Sequence, residues 1–237
     1  QSFKDRKVLI AGGTGGLGRA VSLTFLSQLA RVFVTYRADS EFAALKHAAG
    51  ASSTSLEGHQ VDVTNETAVR RFVEKLASNN GRIDVLINTI GAYAAGPPLW
   101  EMEPKIFAEM LALNLSTGYF LTRAVVPIML KQRSGAIVNV AARAAFDHTA
   151  GAAAYAASKA AAVAMMDSLA ADLKGTGVRV NSVLPSIIDT EANRTAMPGA
   201  DFAKWPKPED IARVILFLSS GEAKVIHGAS IPVYGEQ

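Results

Sequence analysis

The sequence predicts an α/β fold: a doubly wound parallel sheet with helices on both faces. Three observations carry this. Short apolar runs alternate with longer segments of helical spacing along almost all of the 237 residues, the pattern that parallel strands joined by helical crossovers produce. Several of the short runs are apolar at consecutive positions, which suits strands covered on both faces better than half-exposed ones. A glycine-rich stretch then joins the first short run directly to the first helical segment.

Taken in order, Val8-Leu9-Ile10-Ala11 is the first strand, and the glycines after it lead into a helix over 17–29. A strand over 31–36, carrying Val32-Phe33-Val34, precedes a helix over 41–49. The third strand is expected over 60–63 and its helix over 66–77; the fourth strand, 83–88, ends on Asn88. Helical spacing then runs unbroken over 104–130, followed by a strand over 136–140, a helix over 152–173 and a strand over 179–184. The segment 150–164 is heavy in alanine, which helix propensity explains. A helix over 208–219 and a strand over 230–233 close the pattern. One stretch resists it: 186–207, with Pro198, Gly199 and Pro206, reads as an irregular excursion, and long loops inside compact domains often serve as lids. No linker, repeat or low-complexity tail divides the chain, so 1–237 is read as a single domain.

Composition narrows the function classes. With no cysteine, a disulfide scaffold, cysteine-ligated zinc, an iron–sulfur cluster and a thiol nucleophile are excluded. His47, His59, His148 and His227 show no i, i+4 pairing, so no metal site is expected. Lys and Arg number 24 against 21 Asp and Glu, a net charge of +3, and they form no long block. No nucleic-acid partner is therefore expected. No apolar run approaches the ~18–20 residues of a membrane span, and the opening residues 1–7 are polar, without the apolar core of a signal peptide. A cytoplasmic protein acting on a small molecule is the expectation.

The stretch Gly12-Gly13-Thr14-Gly15-Gly16-Leu17-Gly18 sits between a strand and a helix. Such a turn needs glycine where the backbone takes positive φ or must approach a ligand closely. The helix that follows offers free N–H groups and a positive dipole end to a phosphate. This context points to a bound dinucleotide. At the end of the second strand, where an acid would accept from an NAD ribose hydroxyl, stand Tyr36 and Arg37. A guanidinium suits a 2′-phosphate, so NADPH/NADP+ is expected, with NADH as the alternative cofactor. Tyr155 and Lys159 lie four apart, on one face of the 152–173 helix. An ammonium beside a phenol is expected to lower the phenol from its ordinary pKa of about 10 and make it a proton donor near neutral pH.

The spacing Gly-x-x-x-Gly-x-Gly, from Gly12 to Gly18, and Tyr155-x-x-x-Lys159 on the helix after the fifth strand together resemble the short-chain dehydrogenase/reductase family, with Ala11 where that family usually has threonine. The resemblance implies a Rossmann-type sheet of order 3-2-1-4-5-6-7 and a catalytic set of Tyr155, Lys159 and Asn114. Lys159 would also grip the nicotinamide ribose, and Asn114 would anchor a proton-relay water. It further implies cofactor contacts at Gly12, Thr14, Gly15, Gly16, Leu17 and Gly18. Asp62 and Val63 would meet the adenine, although Asp62 equally suits the cap of the helix starting near Glu66. Asn88 and Gly91, in Asn88-Thr89-Ile90-Gly91, match an altered Asn-Asn-Ala-Gly motif, and Asn88 would hold the sheet together beside the cofactor. Pro185, Ile188 and Thr190 match Pro-Gly-x-x-x-Thr, with Ser186 replacing its glycine. Family members commonly associate through the 152–173 helix, so a homodimer or homotetramer is expected.

One departure is informative. The family's usual serine, thirteen residues before the tyrosine, is Ala142 here, and Ala141 is no substitute. Losing a positioned donor to a developing oxyanion costs about 10²–10³ in rate. Dihydropteridine reductase, a branch with alanine at this place, is similar around Ala142-Arg143-Ala144-Ala145-Phe146-Asp147, Asn193-Arg194, Met197-Pro198 and Trp205. The resemblance implies hydride transfer to an activated carbonyl, imine or quinonoid acceptor such as a quinonoid dihydropterin. Tyr93 and Trp100 are candidates to stack on a planar substrate, and Arg194 to close over a cofactor phosphate. The alternative is a catalytically weak NADP(H)-binding sensor or scaffold, against which the retention of Tyr155, Lys159 and Asn114 argues.

Overall fold

In the computed structural model, which describes residues 3–236, each strand but the last hands over to a helix that crosses back above or below the sheet. The strands are β1 (Lys7–Ala11), β2 (Arg31–Tyr36), β3 (Leu56–Gln60), β4 (Val85–Asn88), β5 (Gly135–Val140), β6 (Val178–Pro185) and β7 (Ala229–Val233). Their order is β3-β2-β1-β4-β5-β6-β7, and the pairings among the described residues are parallel. The helices are α1 (Gly16–Ser27), α2 (Asp39–Ala49), α3 (Glu66–Asn80), α4 (Pro104–Leu111), α5 (Thr117–Gln132), α6 (Ala153–Asp172), α7 (Glu191–Ala196) and α8 (Pro208–Ser219).

Alternation along the strands builds two cores. Val8 and Ile10 of β1, with Val32 and Val34 of β2, bury on one face against Val21 and Phe25 of α1 and Ile211 and Ile215 of α8. Leu9, Phe33, Leu86, Ile137 and Val180 point the other way, onto Val69 and Val73 of α3, Leu121 and Val125 of α5 and Met166 of α6. Successive side chains leave a strand on opposite faces, so near-continuous apolar strands can satisfy helices on both sides. Each such side chain contributes about 1.5–3 kcal/mol when fully buried. The chain reverses direction across the sheet between β1 and β4, where Ala11 pairs with Asn88. In folds of this type ligands bind in the crevice at that switch point, beyond the strands' C-terminal ends.

Four expectations need correction. The third strand is Leu56–Gln60 rather than 60–63. It is an edge strand of mixed burial, paired from Val32↔Leu56 to Tyr36↔Gln60, so it lacks an apolar run. The apolar Val61 and Val63 that suggested a strand instead leave the sheet and pack on the α3 side. The helix expected over 104–130 is broken by a π turn over Ala112–Ser116 and continues to Gln132. The helix cap after β3 is Asn65, whose side chain accepts from the Ala68 N–H at 3.0 Å, and not Asp62. Finally, the excursion 186–207 contains α7 and a 3₁₀ turn over Phe202–Lys204. Among the described residues no helix is long and apolar enough to cross a membrane, and no three His, Cys, Asp or Glu side chains are grouped as a metal site would need.

Candidate active site

The crevice begins at the glycine turn. Gly12 leaves β1 with φ +76°, a conformation only glycine adopts cheaply. A Cβ on Gly18 would lie 2.0 Å from the Gly12 carbonyl oxygen, so the first turn of α1 rests directly on the backbone of the turn. Neighbouring strands fix it. The Gly12 N–H donates to the buried Thr35 Oγ1 at 3.0 Å, and Thr89 Oγ1 donates to the Ala11 carbonyl at 2.7 Å. Leu17 is buried beneath, while α1 begins at Gly15 without a side-chain cap and with no acid in its first turn. Its N–H groups and positive dipole end stay available, which fits the phosphates of a dinucleotide. Gly12, Thr14, Gly15, Gly16, Leu17 and Gly18 therefore stand together, as expected.

The adenosine side is more acidic than the sequence suggested. Arg37 is exposed at the end of β2; its carbonyl accepts from Gln60 Nε2 at 2.7 Å and its guanidinium has no ion pair among the described residues. Tyr36 stacks on Phe42 at 4.9 Å, and its hydrogen bond to Asp39 raises the phenol. Thr14 Oγ1 donates to Glu41 Oε2 at 3.0 Å. Glu41 was missed in the sequence because it reads as an ordinary first-turn acid of α2. Asp62 is exposed; its Oδ1 accepts from the Thr64 hydroxyl at 2.6 Å and N–H at 2.9 Å, which lowers its carboxyl, while Val63 is buried beside it.

Across the switch point, buried Asn88 donates through Nδ2 to Asn139 Oδ1 at 2.9 Å, tying β4 to β5. Gly91 follows; a Cβ there would meet Lys159 Nζ at 2.9 Å and Asn114 Oδ1 at 3.0 Å. The π turn carries Asn114 inward, 2 % exposed. Its Oδ1 accepts from the Ala92 N–H at 2.9 Å, and its Nδ2 donates to the Ala92 carbonyl and to Ser158 Oγ, both at 3.0 Å. The Asn114 side chain thus clamps the loop after β4 to α6. The polar atoms of this buried amide are met by protein partners.

Tyr155 and Lys159 lie on α6, and Lys159 Nζ donates to the Val140 carbonyl at 3.2 Å. Burial lowers this ammonium to about 8. Burial, with a smaller contribution from Tyr93, pushes the Tyr155 phenol up to about 12. The shift runs opposite to the expected lowering: the ammonium is turned to a backbone carbonyl, and burial sets the direction of the phenol. Tyr93, largely exposed, sets its ring edge-on to Tyr155 at 4.9 Å. Ala142 is buried at the end of β5 and brings no hydroxyl.

On the β6 side, Pro185 ends the strand, and Ile188 packs on the first core while its carbonyl accepts from Asn193 Nδ2 at 2.8 Å. Thr190 caps α7 through Oγ1, and its methyl group closes on Gly16, where a Cβ would stand 2.8 Å away. Arg194 lies on α7. It pairs with Asp189, with Nη2 2.8 Å from Oδ2, and lies 4.8 Å over the Phe202 ring. Trp100 is solvent-exposed, with Nε1 bonded to Glu101.

A family model described as short chain dehydrogenase matches residues 6–200. The chain is 33% identical to 3-oxoacyl-[acyl-carrier-protein] reductase FabG of Thermotoga maritima, over 98% of each chain. It is 32% identical to meso-2,3-butanediol dehydrogenase of Serratia marcescens, over 98% of this chain and 94% of that one. The solved structure of ElxO with NADP bound superposes with a TM-score of 0.92 at 26% identity, over 98% of each chain. Sheet order, switch-point crevice and similarity along the whole chain agree: this protein belongs to the short-chain dehydrogenase family of NAD(P)-dependent oxidoreductases.

Proposed function

We propose that this protein is an NADP(H)-dependent reductase of an activated carbonyl, imine or quinonoid small molecule, with Tyr155 as proton donor. The observation that carries the reading is the pair Tyr155 and Lys159, one turn apart on α6 with the buried Lys159 against Gly91, in a fold whose glycine turn leaves the N-terminus of α1 uncapped. Tyr155 is protonated at working pH, and its proton moves as the acceptor gains negative charge from the hydride.

In this reading the N-terminus of α1 holds the pyrophosphate, Arg37 the 2′-phosphate, and Asp62 and Val63 the adenine. Lys159 and Gly91 face the nicotinamide ribose, and Pro185, Ile188 and Thr190 the carboxamide. The bound dinucleotide supplies the hydride. Tyr155 gives the acceptor oxygen or nitrogen its proton, Lys159 keeps positive charge beneath it, and Asn114 holds the surrounding loop and helix in register. The 186–207 segment acts as the lid. NADP in the ElxO complex supports the cofactor. The two curated relatives are named for a 3-oxoacyl group and a diol, so carbonyl–alcohol couples are the first acceptors to test. A quinonoid dihydropterin rests on Ala142 and the aromatic rim alone. The reading also takes the enzyme to be cytoplasmic and a homodimer or homotetramer. A groove of about 500 Å³ between α5 and α6, lined by Val126, Met165 and Leu169 among others, supports association there.

The test follows loss of NADPH's near-ultraviolet absorbance against ketones, diketones, quinones and a quinonoid dihydropterin. Oxidation with at least one acceptor is expected. Tight NADPH binding without oxidation by any of them would contradict the reading.

A further inference from the structure

A carbonyl oxygen that gains negative charge is best met by more than one donor. Beside Tyr155, the end of β5 offers Ala141 and Ala142, neither with a hydroxyl. The loop after β4 offers one. Tyr93 meets Tyr155 edge-on, with ring centroids 4.9 Å apart at 80°, and is otherwise largely exposed. Its loop is held at both ends. Asn114 grips both backbone groups of Ala92, the residue just before Tyr93. Three residues after Tyr93, the Gly96 N–H donates to the Gly151 carbonyl at 3.0 Å, and a Cβ on Gly151 would strike the Gly96 oxygen at 2.6 Å. An aromatic side chain on an otherwise exposed loop is thereby fixed against the proton donor.

We infer that the Tyr93 hydroxyl is a second catalytic donor, which hydrogen-bonds the acceptor oxygen from the side where Ala142 offers nothing. The inference rests on the reductase reading of the same site and adds the group that orients the acceptor. The ring of Tyr93 gives a flat apolar wall beside the donor, which favours cyclic or conjugated ketones and quinones over small flexible ones.

The test compares Tyr93→Phe, which keeps the ring, with Tyr93→Ala, which does not, alone and combined with Ala142→Ser. Tyr93→Phe should lower kcat about 10²-fold and leave KM and the NADPH dissociation constant nearly unchanged. Ala142→Ser should restore about tenfold or more in the Tyr93→Phe background while changing the unaltered enzyme little, the non-additivity of two groups serving one atom. Full activity in Tyr93→Phe, or an equal gain from Ala142→Ser in both backgrounds, overturns the inference; so does loss in Tyr93→Ala alone, which would leave only the ring. If Tyr93→Phe is fully active while Tyr155→Phe is dead, the inference fails and the reductase reading stands. An unaltered protein that oxidises NADPH with no acceptor sinks both.

Discussion

Lys159 shows how function is written into a single side chain against stability. Burial holds its ammonium at about 8 against an ordinary 10.5. Between those values the unfolded chain binds the extra proton, so folding stability rises with pH across about 8 to 10.5, and below 8 the cost of the buried charge is carried in full. Lys159→Met should therefore raise the melting temperature at neutral pH, flatten that slope and abolish turnover; a lower melting temperature would contradict the account. Where the proposed reading puts the 2′-phosphate, two charges oppose each other, Arg37 at the end of β2 and Glu41 bonded to Thr14. Arg37→Ala should weaken NADPH binding about tenfold or more and spare NADH. Glu41→Gln should strengthen NADPH binding, an effect that shrinks as salt is added. Fluorescence titration of both nucleotides checks this. Tyr155, Lys159 and the glycines could be picked out because their spacing is itself the signal, whereas Asn114 was named only through the family resemblance. The direction of the Tyr155 shift was not legible, since burial and the aim of the ammonium are properties of the folded site.

The elements show the same division. Helical spacing over 104–130 is real, but the sequence carries no mark of the π turn at Ala112–Ser116. That turn, a feature often found at functional sites, presents Asn114 to Ala92 and Ser158. Asn114→Ala should cost about 2–3 kcal/mol by leaving buried partners unpaired, read by urea unfolding. It should also lower activity through Tyr93 and Tyr155, whose loop and helix it joins. An unchanged midpoint would remove the clamp from the account. The edge strand β3 was misplaced because Leu-Glu-Gly-His-Gln pairs through its backbone with β2 and shows little apolar pattern. The excursion 186–207 does break the alternation of strand and helix, but it is less irregular than read, since it holds α7 and a 3₁₀ turn. Its inner ties, Asp189 to Arg194 and Arg194 over Phe202, join residues that no local period could relate.

At the scale of the molecule, the fold class was legible because buried parallel strands must be apolar on both faces, while the strand order came only with the family resemblance. Association belongs to this scale as well. Leu169→Asp in the groove between α5 and α6 should shift the protein to monomers in sedimentation velocity, whereas an unchanged species would place any interface elsewhere. The central claim is that a buried, protonated phenol completes hydride delivery at this sheet edge. Its most direct measurement is a single-turnover experiment that follows oxidation of bound NADPH in the unaltered protein and in Tyr155→Phe with the same acceptor. The account predicts equal nucleotide affinity and a rate reduced at least about 10²-fold in the variant; equal rates in the two proteins would contradict it.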